Sequence, residues 1–212
     1  MLEEWPVHGF LVTYPGGAVL VDAGVGGPQQ VLDDHRIVNR SVADALDEHG
    51  MTPGDIGGVI NTHPAFRPLR AARRVQVRRF LCPVSRAGAG PPGIAPAGRL
   101  VRLHGCIELL DGDAEILLGL SVVTTQGHAV GHQSVVVSTD HGAEVLIGHA
   151  AYKHRQHLEP DDGDLPPGQA SDPAAWRESA GRVHALRPTG CTSATTPRSS
   201  TPSSRVAGHC LV

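Results

Sequence analysis

The sequence predicts an α/β fold, and three observations predict it. Two apolar runs separated by a tight turn open the chain. A capped helix and a short buried strand follow. A longer series of strands then leads into a second amphipathic helix. Strands alternating with helices are the pattern of α/β folds, whose chemistry gathers at strand carboxyl ends.

The opening run, GFLVTYPGGAVLVDAG, splits at Pro15-Gly16-Gly17 and reads as a hairpin, with Asp22 and Gly24 ending its second strand in a turn. In SVADALDEHG, Ser41 is placed as N-cap with Asp44 three residues on, close to a capping box. Val42, Ala45 and Leu46 share one face, and Gly50 is the stop. GGVINTH is a buried strand that carries His63 at its carboxyl end. From Ile107 to Tyr152 several strands are separated by turns at Asp111-Gly112 and at Asp140-His141-Gly142. SDPAAWRESAGRVHALRP is a helix capped by Ser171 or Asp172. Pro173 fits its first turn, and Trp176, Ala180, Val183 and Leu186 line one side.

Two segments resist this reading. Arg67 to Arg102 holds nine arginines and no acidic residue, and only VQVRRFLCPV within it suggests a short strand. From Gly190 the chain turns Ser/Thr/Pro-rich, again without acids, a composition that predicts disorder. The expectation is one domain over residues 1–189, atypical at about 65–106, followed by an irregular tail over 190–212.

Composition narrows the function. Forty per cent hydrophobic residues and a net charge of -3 describe a soluble protein. The arginine-rich stretch lacks interleaved aromatics and sits in a chain of negative charge, so a solvated irregular segment is expected there, and no nucleic-acid or membrane partner. Cys82, Cys106, Cys191 and Cys210 form no C-x-x-C pair and no export signal is visible, so free thiols in a reducing cytoplasm are expected. Thirteen histidines are many for 212 residues and direct attention to metal chemistry, although most must be ordinary surface or core residues.

Four pieces in this order, LVDAG (Leu20 to Gly24), INTH (Ile60 to His63), TTQGHAVGHQS (Thr124 to Ser134) and LIGHAAY (Leu146 to Tyr152), resemble the metallo-β-lactamase fold. Within it the chain looks most like the N-acyl-homoserine lactonase branch. The resemblance covers Pro6 to about His63 and Ile107 to about Pro188. It implies an αβ/βα sandwich with two zinc ions between its sheets that bind a water and lower its pKa: metal-held hydroxide attacks a lactone or ester carbonyl, and a tyrosine donates to the developing oxyanion. It also implies more chain before the first hairpin.

Matched residue by residue, His63 is the first histidine of the family's metal cluster. His128 is the ligand of the Gly-His-x-x-Gly-His stretch, with His132 structural. Tyr152 is the oxyanion tyrosine, and Asp22 supports the metal loop. The other family ligands are missing. Ala65, Arg67 and Pro68 stand where histidine, aspartate and histidine are expected, His149 replaces the bridging aspartate, and no histidine follows the last helix in a plausible ligand position, because CTSATTPRSS occupies that place. Arg67 would also set a guanidinium beside dications. The remaining candidate ligands are His63, His128 and His149, enough for one zinc ion or none, since an imidazole does not bridge two ions as a carboxylate does. As written, the chain is expected to be a weak or inactive hydrolase of this kind, or a non-catalytic relic or binding protein that keeps part of the fold.

The genetic code offers a reason for the losses. Ala65 to Arg70 can be written GCA TTT CGA CCA CTG CGG, and dropping the first base gives His-Phe-Asp-His-Cys-Gly, the missing cluster in place. Gly190 to Arg198, read from the third base of its first codon, can yield Val-His-Phe-Ser-His-Asp-Pro-Ala, which supplies a late histidine. The His and Asp codons CAC and GAC differ by one base. Residues from about Ala65 to about Cys106 and from about Gly190 onward therefore read as translated out of the ancestral frame.

Overall fold

The computed structural model describes residues 7–24, 29–34, 36–38, 40–63, 79–83, 106–151 and 170–193. Among the described residues ten strands form two five-stranded sheets. In the first, β1 (Phe10–Tyr14) and β2 (Gly17–Val21) make the expected antiparallel hairpin, with Phe10 opposite Val21. The sheet continues in parallel through β3 (Ile56–Ile60), β4 (Arg79–Pro83) and β5 (Cys106–Leu110). The second sheet is an antiparallel meander of β6 (Ala114–Leu117), β7 (Leu120–Thr124), β8 (Gln133–Thr139) and β9 (Gly142–Gly148). It is closed at one edge by β10 (Gly190–Ser193), which runs parallel to β9.

Side-chain alternation sets the layers, because neighbouring residues of a strand face opposite sides of their sheet. Phe10, Val12, Val19, Val21, Ile60 and Leu81 from one sheet pack with Leu120, Val122, Val135, Val137 and Leu146 from the other as one core between the sheets. Their neighbours Leu11, Ala18, Leu20 and Val59 turn outward onto Ala45 and Leu46. On the opposite side Val145 and Ile147 turn outward onto Val183. The result is helix, sheet, sheet, helix: the predicted αβ/βα sandwich.

The helices are α1 (Gln29–Asp34), which the sequence did not announce, α2 (Val42–Asp47) and α3 (Pro173–Ala185). Ser41 caps α2, its hydroxyl accepting from the Asp44 N–H at 3.0 Å. At α3 it is Asp172 that caps, taking the N–H groups of Ala174 and Ala175. Trp176, Ala180 and Val183 are buried as expected, joined by Ser179, while Leu186 is exposed beyond the helix end.

Two strands fall in ranges expected to be irregular. β4 lies within the arginine-rich segment, inside the short run that suggested a strand, with Leu81 and Cys82 buried and Arg79 paired to Glu108 at 2.6 Å. β10 corrects the start of the tail: Gly190 to Ser193 is ordered by pairing with β9, a long-range contact invisible in the local composition.

Candidate metal centre

Four strand ends converge on one edge of the sandwich. His63 lies three residues beyond β3, Asp22 directly follows β2, His128 lies four residues beyond β7, and His149 directly follows β9. β8 runs antiparallel to both its neighbours, so its amino end, with His132 just before it, meets the carboxyl ends of β7 and β9. The two sheets are joined here directly. The Gln133 N–H donates to the Thr62 carbonyl at 2.7 Å, and the Gln133 side-chain amide donates to the Asn61 carbonyl at 2.8 Å.

The three histidines expected as ligands come together. Ring centroids lie 5.2 Å apart for His63 and His128, 5.1 Å for His63 and His149, and 5.4 Å for His128 and His149. One nitrogen from each lies within 4.8 Å of the others. Tetrahedral zinc with Zn–N of about 2.0–2.1 Å needs ligand nitrogens about 3.4 Å apart, within reach of small side-chain rotations. His63 is buried, and His128 and His149 are partly buried.

Burial, with the nearby His128 second, pushes the His63 imidazole down to about 3. Burial and then His63 do the same to His149, also to about 3. Both rings therefore present neutral lone pairs at neutral pH, the form that binds a metal. His132 behaves as a structural residue. It is fully buried, its Nδ1 lies 2.9 Å from the Thr125 hydroxyl, and its ring stands 5.7 Å from those of His63 and His128. Its Nε2 has no hydrogen-bond partner among the described residues.

Asp22 lies at the same edge, bonded to Thr62 beside His63. It sits at φ 54, a left-handed conformation that Asp tolerates better than most residues. That turn places its carboxylate against Thr62, taking the Thr62 N–H at 3.0 Å on one oxygen and the Thr62 hydroxyl at 2.8 Å on the other. Burial raises the Asp22 pKa, opposed by these two hydrogen bonds and by the nearby His149.

Sequence reasoning missed the parts that hold the three histidines in place. Thr62 belongs to the INTH motif, and its side chain is enclosed by Asp22, His63 and Gly148. Gly148 has φ 55, and a Cβ there would stand 2.9 Å from the Thr62 hydroxyl oxygen. α3 braces the His128 loop: Ser179 donates to the Gln126 carbonyl at 2.7 Å, Ser171 to the Gly127 carbonyl at 3.1 Å, and the Asp172 N–H to that same carbonyl at 3.0 Å. The Trp176 indole N–H donates to the carbonyl of Ala150, one residue past His149. The available signal was Ser171 just before α3 and Ser179 within it. Tyr152, Ala65, Arg67 and Pro68 lie outside the described residues.

The fold is that of the metallo-β-lactamase hydrolases, and a cluster of three histidines at its strand ends could hold a metal ion. No protein-family model matches the chain. Among solved structures it is similar to a quorum-quenching N-acyl homoserine lactone lactonase, at 20% identity with TM-score 0.65, over 86% of this chain and 77% of that one. It is also similar to an N-acyl homoserine lactone hydrolase with the product N-hexanoyl-L-homoserine bound at its catalytic metal centre, at 17% identity and TM-score 0.63, over 89% of this chain and 90% of that one. A third is a probable metal-dependent hydrolase from Staphylococcus aureus, at 17% identity and TM-score 0.58, over 81% of this chain and 66% of that one.

Proposed function

We propose that this chain is a reduced metal-dependent hydrolase of the metallo-β-lactamase kind, holding one zinc ion on His63, His128 and His149 and acting weakly on lactones or similar esters. The observation that carries this reading is the convergence of three imidazoles from three separate strand ends. Their donor set supports a single ion, because it contains no carboxylate to bridge to a second. A bound zinc ion would supply Lewis acidity and an acidified water. The chain's own contribution is to keep two of the ligands neutral by burial and to fix both loops against α3. With one ion where the similar hydrolases are expected to use two, turnover is expected to be slow. Tyr152 is the proposed oxyanion donor, and the four cysteines without a C-x-x-C pair support a reducing cytoplasm.

Zinc titration by calorimetry tests this, with N-acyl homoserine lactone ring opening followed on the loaded protein. One zinc per chain with slow ring opening is the expected result, lost in His128→Ala. Absence of zinc binding above that of His128→Ala would instead support a non-catalytic relic of the fold.

The proposed domain, residues 1–189 extended by β10, contains a segment read out of its ancestral frame at about 65–106, with a further out-of-frame stretch from about Gly190. The absence of acidic residues in both supports this, as does the recovery of a metal cluster directly after His63 on a one-base shift. Resequencing the coding DNA across the codons for Thr62 to Ile107 and Thr189 to Val212 decides whether the shift belongs to the gene. If single-base reading errors are found there, the protein is a two-zinc enzyme instead.

A further inference from the structure

Thr62 stands between a buried carboxylate and a metal-ligand candidate, and its hydroxyl has one proton to give. The Asp22 carboxylate takes that proton in a 2.8 Å hydrogen bond while also accepting the Thr62 N–H at 3.0 Å. The same hydroxyl oxygen lies 3.0 Å from Nδ1 of His63. A hydroxyl that donates to a carboxylate has only lone pairs left for a second partner. His63 must then be the donor in that contact, with its proton on Nδ1 and the lone pair on Nε2.

We infer that Thr62 is a positioning residue that locks His63 into its Nδ1–H tautomer, leaving Nε2 bare as the metal-binding atom. The inference rests on the metal reading only for its consequence; the tautomer itself is a property of the metal-free chain. The arrangement is a carboxylate–histidine support with a hydroxyl inserted between the two groups, and such supports fix ring orientation as well as tautomer.

Three further observations place Thr62 in this role. It is fully buried, so water does not compete for its hydroxyl. Its backbone is fixed on both sides, the N–H by Asp22 and the carbonyl by the Gln133 N–H. Its side chain is pressed against Gly148, where any larger residue would push into the Thr62 hydroxyl at 2.9 Å and its Cβ and Cγ2 at 3.0 Å. Gly148 immediately precedes His149, so one threonine sits at the junction of two ligand-bearing strand ends.

Long-range proton–nitrogen NMR of the nitrogen-labelled, metal-free chain reads the tautomer directly, with His63 signals assigned by their loss in His63→Gln. A protonated Nδ1 and an unprotonated Nε2 are expected. A protonated Nε2 overturns the inference. Thr62→Val removes the hydroxyl at nearly constant shape, and is expected to release His63 into a tautomer mixture and to weaken zinc binding about 10- to 100-fold. Thr62→Ser should keep the Nδ1–H signature and bind zinc within about threefold of the unmodified chain. An unchanged His63 tautomer in folded Thr62→Val also overturns the inference. If Thr62→Val does not fold, the unmodified chain and Thr62→Ser still decide the tautomer. Failure of the unmodified chain to bind zinc would refute the proposed metal site, and the tautomer readout would still judge Thr62.

Discussion

An imidazole held neutral by its surroundings offers a lone pair without first shedding a proton. His63 and His149, each pushed down to about 3, are in that condition well below neutral pH. The same burial sets an acid limit on stability. An unfolded histidine titrates near 6.5, so between that pH and about 3 the unfolded chain binds protons that the folded chain does not. Stability is therefore complete above the unfolded value and is lost as pH falls through this window, at roughly 1.4 kcal/mol per pH unit for each histidine. Urea unfolding at about pH 7 and about pH 4.5 should show a large drop at the lower pH, and replacing His63 with Gln should lessen it by His63's share while that of His149 remains. At this scale the clustered histidines were legible, because motif order singles out His63, His128 and His149. Thr62 was not, because a threonine after a strand is ordinary, and its role comes from Asp22 forty positions earlier and Gly148 far later in the chain.

Secondary-structure elements were legible where local chemistry decides them. The Pro15-Gly16 turn, the Ser41 cap and the Asp172-Pro173 helix start all form as their residues dictate. β10 was not legible, since a four-residue polar strand is selected by its neighbour β9 rather than by its own composition. The brace formed by α3 was equally hidden. Gly127 shows how tight that brace is: it has φ 129, and a Cβ there would stand 2.4 Å from the Trp176 Cα. Gly127→Ala would force the helix off the His128 loop. It is expected to cost about 2–4 kcal/mol in denaturant unfolding and to weaken zinc binding together with stability. A loss below about 0.5 kcal/mol would show that the helix and loop are not coupled in this way.

For the molecule as a whole, the sandwich was legible only through the resemblance carried by its four motifs, because β1, β2 and β9 are apolar on both faces and their own pattern does not tell the inner face from the outer. The pairing of β3, β4 and β5 was beyond reach, since parallel partners come from distant parts of the chain and leave no turn signature between them. A ligand that binds only the folded state stabilises all of it, and the proposed zinc site draws on both sheets. Zinc at about a hundred times its dissociation constant should add about 2.7 kcal/mol to global stability, and a calorimetric scan should show the melting temperature rising with zinc concentration. The rise should be absent in His128→Ala.

The Gln133 amide hydrogen belongs to one sheet and is bonded to the Thr62 carbonyl of the other. It can swap with solvent deuterium only when that stitch comes apart, so its exchange rate times the opening of the sandwich at this edge, while amides inside the β8 ladder report on the sheet itself. If Gln133 exchanges much faster than its β8 neighbours, the two halves part at the metal edge without unfolding. If it exchanges with them, the halves come apart only when the whole domain does.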